Sequence, residues 1–145
     1  MSWSRHGMAV RALAIVGVVA LVTGCSKAGS AEPEGTADQY ITALNDKNSK
    51  ALGDLVDRGE SASRKTAFVK AKLDKLGGQD IKVTSIVSGN GTEMSTICTL
   101  DLTGTRKGAS QYSDVLVLHY SSGRWLLEAD IDPSGGTGSE PCHKF

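Results

Sequence analysis

The sequence predicts an α+β domain in which N-terminal helices pack on a four-stranded antiparallel meander sheet. Two observations carry that prediction. Apolar residues recur at helical spacing through positions 36–76, and from Ile81 onward they alternate with polar ones. Connections between the alternating runs are short, which suits antiparallel neighbours rather than parallel crossovers.

The first helix is expected to open at Thr36. Gln39 stands three residues on, the spacing of a capping box, and Asp38 adds negative charge to the first turn. Tyr40, Ile41 and Leu44 then share one face, and Asn45–Ser49 interrupts the pattern. Ala51, Leu52, Leu55 and Val56 resume it as a short second helix. A third helix is expected from about Ser63 to Leu76, with Val69, Leu73 and Leu76 at i, i+4, i+7 and Phe68 beside them. Gly77-Gly78 supplies a C-terminal stop. Lysines 65, 70, 72 and 75 read as the solvated face of that helix rather than as a basic patch for lipid, because Asp74 stands among them.

Ile81–Val87 reads as the first strand, closed by the turn Ser88-Gly89-Asn90-Gly91. In the second, Thr96, Cys98, Leu100 and Leu102 share one face, opposite Thr99 and Asp101. A loop is expected over 104–110, a third strand over Tyr112–Tyr120, and a turn at Ser121-Ser122-Gly123. Trp125, Leu127, Ala129 and Ile131 then alternate along a fourth strand.

The N-terminus carries a different message. Arg5 and Arg11 precede an unbroken apolar run, Ala12–Val22, with no acidic residue in the first 24 positions. Eleven helical residues reach only about 16 Å, against about 30 Å of bilayer hydrocarbon, so the run fits a secretory signal rather than a membrane span. Val22-Thr23-Gly24-Cys25 resembles the lipobox of bacterial lipoproteins. That resemblance implies cleavage before Cys25 and a diacylglyceryl group on its thiol, which places the protein on the extracytoplasmic face of a cell membrane. One acyl chain anchors only marginally, whereas two hold a protein stably. The balance of 16 basic and 16 acidic residues therefore averages a basic signal with a mildly acidic exported chain. No basic excess or stacking cluster is present to bind nucleic acid. The segments expected are a signal over 1–24, a lipidated cysteine and flexible tether over 25–35, the domain over 36–132, and a Gly/Ser-rich tail over 133–145.

The order of elements resembles the nuclear transport factor 2-like (cystatin-like) superfamily over residues 36–132. The opening helix with its interruption, Asp38–Asn48, carries the likeness, together with the final hairpin from Val115 to Leu127, where Ser121-Ser122-Gly123 leads to Trp125. The resemblance implies a curved sheet wrapped round the long helix as a cone. Some members are ketosteroid-isomerase-like enzymes with acid and base groups inside that cone. Asp101, Asp114 and His119 are the strand-borne candidates here. Asp114 shares parity with Leu116 and Leu118, His119 with Val115 and Val117, and the alternation leaves open which face is the inner one. Solvated side chains are the expected setting for all three. No motif of the catalytic members transfers residue by residue.

With Cys25 lipidated, Cys98 and Cys142 remain, and export makes a disulfide their expected state. It would close about 45 residues, worth ~4 kcal/mol in the chain-entropy model, and would pin the tail. A metal site from Cys98, Cys142, His143 and His119 competes for the same atoms but lacks paired ligand spacing. The function expected is that of a lipid-anchored binding or accessory module for a small apolar ligand or an envelope protein, with no cofactor. The alternative is an isomerase- or dehydratase-like enzyme with Asp114 or His119 in the cone pocket.

Overall fold

The structure is a computed structural model and describes residues 27–88 and 96–129. The signal, Cys25, the turn at 89–91 and the tail with Cys142 and His143 lie outside the described residues. Three helices come first: α1 (Pro33–Asn45), α2 (Ser49–Leu55) and α3 (Ala62–Leu76). Four strands follow: β1 (Lys82–Ser88), β2 (Ile97–Arg106), β3 (Ala109–Ser121) and β4 (Arg124–Leu127). They form one antiparallel sheet in sequential order, as the short connections required. The fold is α+β, with the helices packed on one face of the meander.

Alternation sets that face. Cys98, Leu100 and Leu102 of β2 and Tyr112, Leu116 and Leu118 of β3 are buried, while Ile97, Asp101, Thr103, Gln111 and Ser113 point outward and are exposed. Tyr40 and Leu44 of α1, Leu52 and Leu55 of α2, and Phe68 and Leu76 of α3 complete the same core with Trp125 and Leu127. Tyr120 and Trp125 stack obliquely with ring centroids 5.1 Å apart. Register shifts between Val83 and Ser85 and between Gly104 and Arg106 interrupt the ladder, irregularities that bend and twist a strand. At Gly104 the backbone approaches so closely that a Cβ would stand 2.0 Å from the Lys82 carbonyl oxygen.

Several boundaries differ from the sequence reading. Helix α1 begins three residues before Thr36, because Pro33 at the first helical position has the right φ and no N–H to leave unpaired. Thr36 is inside the helix and serves another bond. Its hydroxyl accepts the Ser30 N–H at 3.0 Å and donates to the Trp125 carbonyl at 2.9 Å. Asn45, read only as an interruption, pairs with β1: Nδ2 donates to the Ile81 carbonyl at 3.0 Å, and Oδ1 accepts the Ile81 N–H at 2.7 Å. Helix α3 is capped by Ser61, whose Oγ accepts the Arg64 N–H. The loop expected over 104–110 is a hairpin with Lys107-Gly108 at its tip, Gly108 adopting φ 80°. Strand β4 ends at Leu127, with Glu128 and Ala129 beyond it, and Ile131 lies outside the described residues.

The largest difference is at the expected tether. Its described part, residues 27–35, is tied to the domain. The Gly29 N–H donates to Gln39 Oε1 at 2.9 Å, the Trp125 N–H donates to the Ser30 carbonyl at 2.7 Å, and Arg124 Nη1 donates to the Ala28 carbonyl at 2.9 Å. Ser30 and Trp125 form an antiparallel bridge, and Val56 bridges Leu127 in parallel. The reason is physical: β4 is an edge strand, and its outward N–H and C=O groups need partners. Gly29, at φ 80°, makes the close turn, since a Cβ there would sit 2.5 Å from the Trp125 carbonyl oxygen.

Thr36 is therefore the link between this strap, α1 and β4. Thr36→Val keeps the shape but removes the hydroxyl that accepts the Ser30 N–H and donates to the Trp125 carbonyl. It is expected to cost about 1–3 kcal/mol, read from the denaturant midpoint, while Thr36→Ser retains most of the stability. Equal midpoints for Thr36→Val and the parent chain would remove the hydroxyl from the account.

Candidate functional site

Among the described residues, the one acidic side chain on the inner sheet face is Asp114 of β3, register partner of Leu102. Its parity with Leu116 and Leu118 puts it on the buried face, whereas a solvated side chain was the expectation. It is not solvated there. Lys72 of α3 reaches it from across the core, with Nζ 2.8 Å from Oδ1, and the two side chains are only 9% and 11% exposed. Tyr40 of α1 donates its hydroxyl to Oδ2 at 2.5 Å. Tyr112, two residues earlier on β3, directs its hydroxyl to the same oxygen at 3.5 Å. The Val115 N–H closes the ring of donors at 3.0 Å on Oδ1.

Lys72 overturns the reading of its helix. The buried positions of α3 are Phe68, Lys72 and Leu76, an i, i+4, i+8 stripe turned slightly from the expected one. Val69 and Leu73 are half-buried at its margin. A lysine can occupy a core stripe because its methylene stem is apolar and only the ammonium needs a partner. That ammonium lies 5.8 Å from the ring centroids of both Tyr40 and Phe68, within range of favourable cation–π attraction. Lys65, Lys70 and Lys75 are not part of this stripe.

The surroundings of Asp114 keep the two phenols protonated. Burial, then the negative charge of Asp114, pushes the Tyr112 hydroxyl far above the ordinary tyrosine range. Burial does the same to Tyr40, reinforced by Asp114 and by Tyr112. Both phenols therefore remain donors at any physiological pH. Asp114 accepts from an ammonium, two phenols and an amide, so no oxygen faces an open space. None of the three described cavities is lined by Asp114, Lys72, Tyr40 or Tyr112.

His119 belongs elsewhere. It is odd-numbered on β3, opposite in parity to Asp114, and its register partner is Leu126. The ring is 33% exposed, with Nδ1 3.2 Å from Oδ2 of Asp57, in the stretch after α2. Asp114 and His119, the two alternatives for a residue in the cone pocket, thus stand on opposite faces of the sheet and share no partner. Asp101 is exposed on the outer face, as its parity required. Cys98 is completely buried on the inner face, and its expected partner Cys142 lies outside the described residues, as do His143 and Cys25. Among the described residues, no three His, Cys, Asp or Glu side chains gather to hold a metal ion.

Three cavities among the described residues open at the surface. A cavity of about 360 Å³ lies beside the N-terminal strap and is lined by Lys27, Asp57, Arg58 and Arg124 among others. One of about 390 Å³ runs between α1 and α2, past Asp38, Asp46 and Asp54. A third, about 450 Å³, lies between α2 and α3 over Gly53, Val69 and Leu73.

The sign of the alkaline response follows from the two tyrosines. Their folded-state pKa values lie above the unfolded value near 10, so the stability they contribute is complete below pH 10 and is lost as pH rises beyond it. Tyr40 and Tyr112 are expected to ionise only together with unfolding, so tyrosinate absorbance and loss of helical circular dichroism coincide for those two groups. Ionisation of both near pH 10 with the helical signal intact would contradict the buried cluster.

No protein-family model matches the chain, and no curated protein matches it. A solved structure, that of a candidate NTF2-like transpeptidase from Campylobacter jejuni, is similar over 67% of this chain and 98% of its own, at 15% identity and a TM-score of 0.45.

Proposed function

We propose that this protein is held on the extracytoplasmic face of a cell membrane by a diacylglyceryl group on Cys25, and that its α+β domain is a binding or accessory module rather than an enzyme. The observation that supports the second half is the Asp114 cluster. The inner face offers one carboxylate, and four donors already occupy it. The enzyme alternative asks Asp114 to be poised in a pocket, and its surroundings favour a structural role instead. The first half rests on Val22-Thr23-Gly24-Cys25 behind a basic, apolar leader.

Binding in this reading is a surface event. The described openings lie between helices and beside the strap, suited to a small apolar group or a segment of an envelope protein rather than to an engulfed substrate. The Cys98–Cys142 disulfide belongs to the same proposal, because an exported chain meets oxidising conditions. Its role would be to hold the tail against the inner sheet face on which Cys98 is buried.

The test is fractionation of bacteria producing the full chain and its Cys25→Ala variant. The parent protein is expected in the membrane fraction, with the mass of a diacylglyceryl-modified N-terminal cysteine. The variant is expected to leave that fraction. A variant that stays with the membrane, or a mature parent chain without lipid, overturns the anchor.

A further inference from the structure

Anchor and domain stand closer together than a flexible tether would leave them. Only Ser26 separates Cys25 from Lys27, and from Ala28 onward the backbone is bonded to Arg124, Gln39 and Trp125. Two residues reach at most about 7 Å. The headgroup layer on one side of a bilayer is roughly 5–7 Å deep. A thiol acylated at the hydrocarbon boundary therefore brings Lys27 into the headgroup layer and presses the domain against it.

The face brought there is built for negative charge. Lys27, Arg58 and Arg124 line one cavity of about 360 Å³, together with the hydroxyl-bearing Ser121 and Ser122. None of these three cations forms an ion pair among the described residues. The two acids in the same lining are engaged elsewhere: Asp54 with Lys50 Nζ at 2.6 Å, and Asp57 with His119 Nδ1 at 3.2 Å. Guanidinium groups match phosphate oxygens in pairs, and a lysine adds a point charge. On the other side of Ala28, the groove between α1 and α2 carries Asp38 and Asp46, which repel an anionic surface and limit how far the contact extends.

We infer that the Lys27–Arg58–Arg124 face is a docking surface for anionic phospholipid, with a headgroup phosphodiester seated between the three cations. This rests on the lipid anchor at Cys25 and goes beyond it, since an anchor alone leaves the orientation of the domain open. The tether expected from composition becomes a short mount, and the domain is presented to partners in one orientation, with its β1 edge away from the docking face.

The experiment uses the full lipidated protein in vesicles of phosphatidylcholine, with and without phosphatidylglycerol. Acetylation of Lys27 and phenylglyoxal labelling of Arg58 and Arg124 are followed by mass spectrometry, which also reports lipid on Cys25. Lys82, at the far edge of the sheet, serves as the reference. Each basic charge is worth about five-fold in association with an anionic surface. The three side chains are expected to lose several-fold in labelling on anionic vesicles, to regain it at high salt, and to regain it in Arg58→Glu for Lys27 and Arg124. Arg58 is exposed and makes no side-chain hydrogen bond among the described residues, so that variant leaves the fold intact. Lipidated protein labelled equally on the two vesicle types overturns the docking surface while the anchor stands. A Cys25 without lipid overturns both.

Discussion

The buried pair of Asp114 and Lys72 is the constraint around which the domain is arranged. Two opposite charges removed from water are tolerated only where nearly every polar atom finds a partner, because desolvation otherwise exceeds the attraction between them. Here the partners come from three elements. Tyr40 arrives from α1, Lys72 from α3, and Tyr112 with the Val115 amide from β3 itself. Satisfying one carboxylate thus fixes the rotation of α3, the depth of α1 and the register of β3 together. A slip of β3 by one residue would turn Asp114 out to solvent and leave an ammonium stranded in the core.

The charged group that the fold draws inward is saturated by its four donors, and His119 stands on the other face of the sheet with Asp57. What remains accessible is the rim: grooves between helices, and the mixed-charge opening where the N-terminal strap joins β4. That strap has two duties. It covers the edge of β4, which would otherwise invite pairing with another chain, and it carries the domain to within a residue or two of the proposed anchor.

Much of this was legible in the residues. The order of helices and strands, the residues that share a face of β2 and β3, and the parity of Asp114 all follow from periodicities of 3.6 and 2, whereas which face of β3 turns inward was left open. What periodicity cannot show is which polar groups meet across the chain. Lys72 looked like one of four solvated lysines until Phe68 and Leu76, four residues on either side, proved to be its stripe-mates. That spacing was the signal that could have found it. Thr36 fitted a capping box equally well as a cross-link to Trp125, and only the tertiary position of β4 decides between them. The segment 27–32 has the composition of a linker, yet an unpaired strand edge gives it a reason to be ordered. Local composition does not record that reason.

A double-mutant cycle on Lys72 and Asp114 tests the central claim most directly. Lys72→Met and Asp114→Asn are compared singly and together by chemical denaturation. If Asp114 is a structural carboxylate held by Lys72, each single change strands a buried partner and costs about 3–5 kcal/mol, and the double variant loses far less than the sum. Additive losses would show that the two charges do not depend on each other, and would return Asp114 to the list of groups free to react.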